Sequence, residues 1–372
     1  MVRDINSRLN KLRLRRRGVD RLGKLNEASR KEVLSKSLAA ESWQNRAPSH
    51  AYTRYALGAM QEVGPEYTRI SVETAERVGN QIQKSIDSVE FRLQGSVPLN
   101  VHIRGVSDVD LLVLETGFLI FHSSGPAAGT YVPTARNSLG VLGELRSSIE
   151  KILPLNFPAA DVDTSGGKAV AVSGGSLARP VDVVPSHWYD TVVYQQSRQI
   201  HDRGVVILDR KVPKTIENFP FKHIKLIEDR CSSCLGGLRK AIRLCKNVKA
   251  DAVEEGTKIN FPSFDIAATM YHADQTALKI GYLYELRVLA EVQRHLDYLY
   301  HNPEEAKKLR VPDSSRFIFD TQEKYEGMKA LSHEIDDLVK NVAKEQKPQL
   351  TFDLGIPWGV ARGAIESIEI PS

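Results

Sequence analysis

The spacing of apolar residues divides the 372-residue chain into stretches of different period. Residues 1–48 are polar and basic and read as helical, without a strong apolar stripe. From Ala51 to Phe91 the spacing is helical: Val72, Ala75, Val78, Ile82, Ile86 and Val89 recur at threes and fours, and Gln94-Gly95 closes the run. The period then changes. Ser107–Glu115 (SDVDLLVLE) reads as a buried strand and Gly117–Ser123 (GFLIFHS) as a second, short one. Ser138–Leu153 is an amphipathic pattern with Asn137 or Ser138 as its cap. Lys168–Ser173 (KAVAVS), a Gly174-Gly175 turn and Arg179–Ser186 (RPVDVVPS) predict a hairpin, and Gly204–Asp209 (GVVILD) a further strand. After Pro220 the pattern predicts long helices over Lys222–Lys249, Phe264–Tyr300 and Gln322–Lys344; the second places Leu278, Tyr282, Leu286, Leu289, Leu296 and Leu299 near one face. The tail from Lys347 contains Gly and Pro and reads as loosely held.

Composition changes this picture little. A chain that is 41% hydrophobic and 26% charged can bury a sizeable core. Cys231, Cys234 and Cys245 are too few and too clustered for a secreted disulfide framework, and the N-terminus has no apolar signal region, so a reducing cytoplasm is expected. The longest apolar stretch, Leu111 to Phe121, is interrupted by Glu115 and falls short of the roughly 20 residues of a membrane helix. The net charge of +5 suits a protein that handles polyphosphates without requiring it. Lys11–Arg17 (KLRLRRR) concentrates positive charge; it reads as a solvated helix face, with a nucleic-acid contact or partner docking as the alternatives.

Candidate chemistry centres on Gly95-Ser96, eleven intervening residues, and Asp108-Val109-Asp110. Carboxylates at i and i+2 on a strand point to one face and can converge on the same cations. Such close like charges repel, and a divalent metal removes that penalty. Two Mg²⁺ ions, for which Mn²⁺ can substitute, would serve phosphoryl transfer. Glycine lets a backbone N–H approach a phosphate, and the Ser96 hydroxyl can donate to one. A third carboxylate is expected. Asp182, set among Val181, Val183 and Val184, is the candidate; the alternatives are Asp161 and Asp163, beside Thr-Ser-Gly-Gly, and a reading in which Arg179 merely neutralises a buried Asp182. Lys240, Arg243 and Lys246 form a candidate basic ridge toward a triphosphate, and Tyr189 or Tyr194 a candidate base-stacking platform. His187 and Trp188 read as core or rim. Cys231-Ser-Ser-Cys234 has metal-ligand spacing, but no second cysteine pair completes a zinc site, so buried thiols are expected. Neither a Gly-x-Ser-x-Gly elbow nor a P-loop is present.

These segments resemble a known family. Gly95-Ser96, Ser107–Val113 (SDVDLLV) and Val181–Pro185 (VDVVP) are similar to the polymerase-beta-like nucleotidyltransferases, and within them to the bacterial cGAS/DncV-like enzymes. "LRKAIRLCKNVKAD" resembles the family helix that carries a phosphate-contacting lysine, here Lys246, and "INFPSFDIAATMYH" its Pro-Ser-aromatic start of the next helix. The likeness spans roughly Phe91 to Leu299. It departs at Val97–Val106, which lacks the small polar residues that often follow Gly-Ser, and at Pro371-Ser372, which lacks the Gly or Ala end on which some members are conjugated.

The resemblance implies an α+β fold, a polymerase-beta-like nucleotidyltransferase core with a mixed β-sheet plus a helical C-terminal lobe. The expected division is a basic helical segment at 1–50, the core at 51–215, the helical lobe at 216–346 and a tail at 347–372. Asp108, Asp110 and Asp182 would be catalytic and hold the metals; Gly95, Ser96, Lys240, Arg243, Lys246 and Tyr194 would bind nucleotide. The substrates would be NTPs, ATP and/or GTP, and the product a cyclic di- or trinucleotide signal in anti-phage defence, with a regulatory protein partner. The rival is a nucleotidyltransferase that modifies a protein, tRNA or small-molecule acceptor.

Overall fold

The protein is represented by a computed structural model that describes residues 4–17, 27, 31, 41–349 and 357–371. A seven-stranded mixed sheet forms one side: β1 (Val89–Gln94), β2 (Val109–Phe121), β3 (Asp161–Asp163), β4 (Val170–Ser173), β5 (Val181–Asp190), β6 (Gly204–Asp209) and β7 (Lys214–Asn218). The order is β1-β2-β5-β4-β3, with β6 on the second half of β5 and β7 outside it. Among the described strands β2 and β5 pair in parallel and the other pairings are antiparallel.

Alternation along β2 and β5 sorts the two faces. Val109, Leu111, Val113, Val181 and Val183 pack under two helices, α3 (Pro65–Gln83) and α4 (Ser138–Asn156), through Ala75, Val78, Ile82, Leu145 and Ile149. Asn137 is the cap of α4, its Oδ1 accepting from the Gly140 N–H at 2.9 Å. Leu112, Leu114, Val184 and Trp188 point the other way and pack with Val205 and Ile207 and against Phe221. Asp110 and Asp182 stand on that second face by the same alternation.

The helical side comprises α1 (Ile5–Arg17), α2 (Ala51–Met60), α6 (Pro220–Ser233), α7 (Gly237–Glu254), α8 (Ser263–Tyr271), α9 (Gln275–Ile280), α10 (Glu285–His301), α11 (Pro303–Lys308), α12 (Gln322–Gln346) and α13 (Trp358–Ile365); the short α5 (Val192–Ser197) follows β5. One continuous apolar core joins Leu9 and Leu12 of α1 and Tyr55, Leu57 and Met60 of α2 to Ile242, Leu289, Ile335 and Ile365. Residues 51–60 therefore pack with the C-terminal helices rather than with the sheet. Among the described residues no helix is long and apolar enough to cross a membrane.

Several local expectations are corrected. The helix read through Phe91 ends at Gln83, because Val89, Phe91 and Leu93 alternate with Glu90, Arg92 and Gln94 and form β1. The two strands read over 107–123 are one, β2, with a register irregularity between Glu115 and Leu119. Lys222–Lys249 is broken by Leu235 and Gly236, at φ of 50° and 87°. Phe264–Tyr300 is three helices, the second started by Asp274, whose Oδ1 accepts from the Ala277 N–H at 2.7 Å. Beyond 356 the tail is anchored, not loose: Ala361, Ala364 and Ile365 are buried. Within Lys11–Arg16 the charges are not simply solvated. Arg15 is ion-paired to Asp251 at 2.8 Å, Arg16 to Glu41 at 2.5 Å and Lys11 to Glu254 at 2.9 Å. Cys231, Cys234 and Cys245 are buried free thiols.

Candidate active site

The parallel register sets Asp110 directly beside Asp182, with Val109 beside Val181. Asp108 precedes β2 by one residue and lies two positions from Asp110. Burial, then the charges of Asp182 and Asp108, push the Asp110 carboxyl up to about 7. Burial, then Asp108, push Asp182 up to about 6. The three carboxylates thus act on one another through space. Among the described residues no three acidic, histidine or cysteine side chains close into a ready-made cation cage. Mg²⁺ is usually held by only one or two carboxylates, with substrate phosphates and water completing the shell. Oxygen donors that repel one another in a half-buried groove fit such a cation.

Gly95 explains itself in this geometry. It follows Gln94, the register partner of Asp110, and adopts φ of 77°. A Cβ there would lie 2.1 Å from Oδ2 of Asp110, so only glycine lets the turn pass against that carboxylate. Ser96 begins the connection to β2, and its carbonyl accepts from the Val101 N–H at 3.0 Å.

That connection is held by α7. Arg239 Nε donates to Leu99 O at 2.8 Å, Arg243 Nη1 to Asn100 O at 2.7 Å and Lys246 Nζ to Val101 O at 2.9 Å. Lys246 Nζ also reaches Ser107 Oγ at 3.2 Å, next to Asp108. Burial lowers the Lys246 ammonium to about 8, against the favourable charge of Asp110. Lys246 therefore lies near the carboxylates. It also lines a cavity of about 650 Å³ between α1, residues 103–106, α7 and Ser263 at the start of α8.

The other two members of the basic ridge are engaged elsewhere. Lys240 pairs with Glu285 at 2.9 Å. Arg243 is buried and donates to the Met60 carbonyl at 2.8 Å as well as to Asn100, so its charge holds backbone. Arg239 was missed; its signal was the spacing of 239, 243 and 246, which puts all three on one helical stripe. His102, also missed, is fully buried within the Gly-Ser connection, 3.1 Å from Thr68 Oγ1, and burial depresses it to about 3, so it packs there as a neutral ring.

Tyr194 is not brought to the carboxylates. It lies under Arg203, whose guanidinium also covers Trp188 at 4.3 Å, and Trp188 is six strand residues, roughly 20 Å, from Asp182. Tyr189 packs near Phe219 at that same end, while His187 and Trp188 are core. Arg179 stacks on the Tyr67 ring at 3.8 Å. Asp161 and Asp163 are exposed on the edge strand β3. Asp163 shares a transverse row with Asp182 two strands away, roughly 10 Å, and its Oδ1 accepts from the Ser165 N–H at 2.8 Å.

Comparison with known proteins places the chain in a family. Residues 226–341 match the model for the cGAS/DncV-like nucleotidyltransferase C-terminal helical domain. The chain is 45% identical over 307 residues to a cyclic dinucleotide synthase CdnE of Yersinia aleksiciae, covering 82% of this chain and 80% of that one. It is 32% identical over 321 residues to a c-di-GMP synthase of Capnocytophaga granulosa, covering 78% and 87%. The solved STING-associated CdnE c-di-GMP synthase from Capnocytophaga granulosa superposes with a TM-score of 0.68 at 28% identity, over 91% of this chain and 99% of that one.

Proposed function

The chain belongs to the cGAS/DncV-like nucleotidyltransferases, enzymes that make cyclic oligonucleotides, and we propose that it joins nucleoside triphosphates into a cyclic dinucleotide second messenger of anti-phage defence. The observation that carries the reading is the side-by-side placement of Asp110 and Asp182 behind a glycine turn that no other residue could make. In each of two rounds, a ribose hydroxyl attacks an α-phosphate, a new P–O bond forms and pyrophosphate leaves; the second round closes the ring. Mg²⁺, with Mn²⁺ as a substitute, would be held by Asp108, Asp110 and Asp182 and would lower the charge of the attacking and leaving oxygens.

The chain's own groups supply the rest. Asp182, raised to about 6, can take the proton of the attacking hydroxyl near neutral pH. Gly95 and Ser96 bring backbone N–H groups and a hydroxyl to the phosphates. Lys246 offers its ammonium to the triphosphate side, and Ser107, bonded to it, fixes the start of the carboxylate strand. The CdnE and c-di-GMP synthase names of the relatives favour a dinucleotide over a larger ring.

The test is incubation with each labelled NTP, singly and in pairs, with Mg²⁺ or Mn²⁺, followed by phosphatase. A phosphatase-resistant product is expected from NTPs alone and is lost in Asp108→Ala and Asp110→Ala. Turnover only after an acceptor protein, tRNA or small molecule is added would replace this reading with acceptor modification. Product surviving both substitutions would remove the role given to the carboxylates.

A further inference from the structure

Cys231 and Cys234 have no part in the reaction described above, yet they form the joint between α6 and α7. Cys231 lies in the last turn of α6 and Cys234 follows its end, three residues on, so the two side chains are neighbours on one face. The Cys234 N–H donates to Cys231 O at 3.2 Å, and Cys234 Sγ lies 3.5 Å from the same carbonyl. The Cys234 sulfur also accepts from the Leu238 N–H of α7 at 3.3 Å. Both thiols stand at the N-terminal, positive end of an 18-residue helix, within the field of Arg239 and Arg243.

That setting favours a thiolate. The hydrogen bond from Cys234, the Arg239 N–H and the charges of Arg239 and Arg243 hold Cys231 down to about 6, against the opposing effect of burial. The same bond pushes Cys234 up, so the pair divides into an attacking thiolate and a protonated neighbour. Cys245, in the middle of α7, differs: it is fully buried, and burial pushes it up to about 12. Cys231 and Cys234 are buried too, but only just beneath the surface, since Ser232, Ser233 and Leu235 beside them are exposed. Leu235 holds φ of 50°, a strained backbone for leucine, so the joint opens at low cost.

We propose that Cys231 and Cys234 are a reversible thiol–disulfide pair oxidised by hydroperoxide, and that the disulfide slows synthesis by moving the start of α7. The Cys231 thiolate attacks a peroxide oxygen: an S–O bond forms, the O–O bond breaks, and the leaving oxygen takes a proton and departs as water or alcohol. The Cys234 sulfur then attacks the Cys231 sulfur: the S–S bond forms, the S–O bond breaks, and the hydroxyl leaves as water with the Cys234 proton. The two thiols give up two electrons, one peroxide takes them, and a dithiol restores the pair by exchange. Bridging draws the Cβ atoms from the roughly 5–6 Å of helical neighbours to about 4 Å. The start of α7 has little slack to absorb this, because even a Cβ on Gly237 would run into the Leu278 carbonyl. Further along α7, Arg239, Arg243 and Lys246 hold the connection that leads to Asp108. The effect on synthesis rests on the nucleotidyltransferase reading above; formation of the disulfide does not.

The experiment treats the full chain with hydrogen peroxide, alkylates the remaining thiols after denaturation, and reads intact mass beside pyrophosphate release, before and after dithiothreitol. The oxidised wild type is expected to keep Cys245 as its one alkylatable thiol, and dithiothreitol to restore all three. Turnover is expected to fall about tenfold on oxidation, part of the roughly 100-fold that a full 1 Å misplacement costs, and to return with dithiothreitol. Cys231→Ser and Cys234→Ser keep their rate in peroxide, and Cys245→Ser responds as the wild type does. Three alkylatable thiols after peroxide, or an equal loss of rate in Cys231→Ser, overturns the proposal. A disulfide that forms without any change in turnover overturns its control of α7. If the mass shows the disulfide but neither form of the chain makes product, the nucleotidyltransferase reading fails and the thiol pair stands.

Discussion

Replacing Gly95 by alanine separates the geometry of the carboxylates from the stability of the fold. Two costs can be worked from the structure. The first is backbone: at φ of 77° a non-glycine residue costs about 1 kcal/mol. In a chain of this size that lowers the melting temperature by only about 2 °C. The second is contact. The new methyl would stand 2.1 Å from Asp110 Oδ2, where ordinary contact begins at 3.4 Å. Either the turn or the carboxylate must retreat by about 1 Å, and a misplacement of that order costs roughly 100-fold in rate. That is about 2.7 kcal/mol of barrier, well above the loss in stability. Pyrophosphate release at saturating NTP, set beside a thermal melt of the same preparation, reads both numbers. A Gly95→Ala enzyme with the wild-type kcat would show that this turn does not fix Asp110, and the reason given for glycine at 95 would be wrong.

Two further outcomes follow from buried charge. Because the folded carboxyls of Asp110 and Asp182 sit at about 7 and 6, above the ordinary 3.8, the native chain holds protons that the unfolded chain releases; these groups weaken the fold as pH rises from about 4 to 7, with the full penalty above that window. The rise in melting temperature on adding Mg²⁺ should therefore be larger at pH 8 than at pH 5.5, and to shrink in Asp110→Asn; equal rises at both pH values would count against these groups as the cation's holders. Arg15→Leu leaves the fully buried Asp251, among the described residues, with the Tyr55 hydroxyl as its side-chain partner, so urea unfolding should show a loss of about 3–5 kcal/mol, and a loss below about 1 kcal/mol would mean that α1 is not anchored there.

The carboxylates were legible in the sequence for a physical reason. A charged residue inside an apolar run has few explanations, and Asp110 and Asp182 each stand in one. What the sequence could not show is that β2 and β5 are neighbours in parallel register, because the 59 residues between them in the chain include α4 and two other strands. The missed strand β1 had its signal in plain view, since Val89, Phe91 and Leu93 alternate strictly; the preceding helical period, which also passes through Val89, masked it. The helix breaks at 235–236 and 272–274 were hidden differently. Leu235 takes a left-handed backbone that its type does not favour, so only the packing around it reveals the turn.

The basic ridge of α7 shows where spacing stops being informative. Lys240, Arg243 and Lys246 are all plausible phosphate ligands by type, and the 239, 243 and 246 stripe does not by itself say whether its charges face a ligand or backbone. The distinction comes from what the helix packs against. Leu99 and Val101, which replace the small polar residues expected after Gly-Ser, are buried in the helical core. Their insertion draws three successive carbonyls, of residues 99, 100 and 101, against α7, and each needs a donor because buried carbonyls are rarely left unpaired. Arg239, Arg243 and Lys246 are those donors. The departure from the family pattern at 97–106 and the arginines on α7 are thus two sides of one arrangement. It ties the stretch between the glycine turn and Asp108 to the helical lobe, so the sheet does not carry a finished site by itself: the placement of Asp108 and Asp110 depends on a helix more than 120 residues further along the chain.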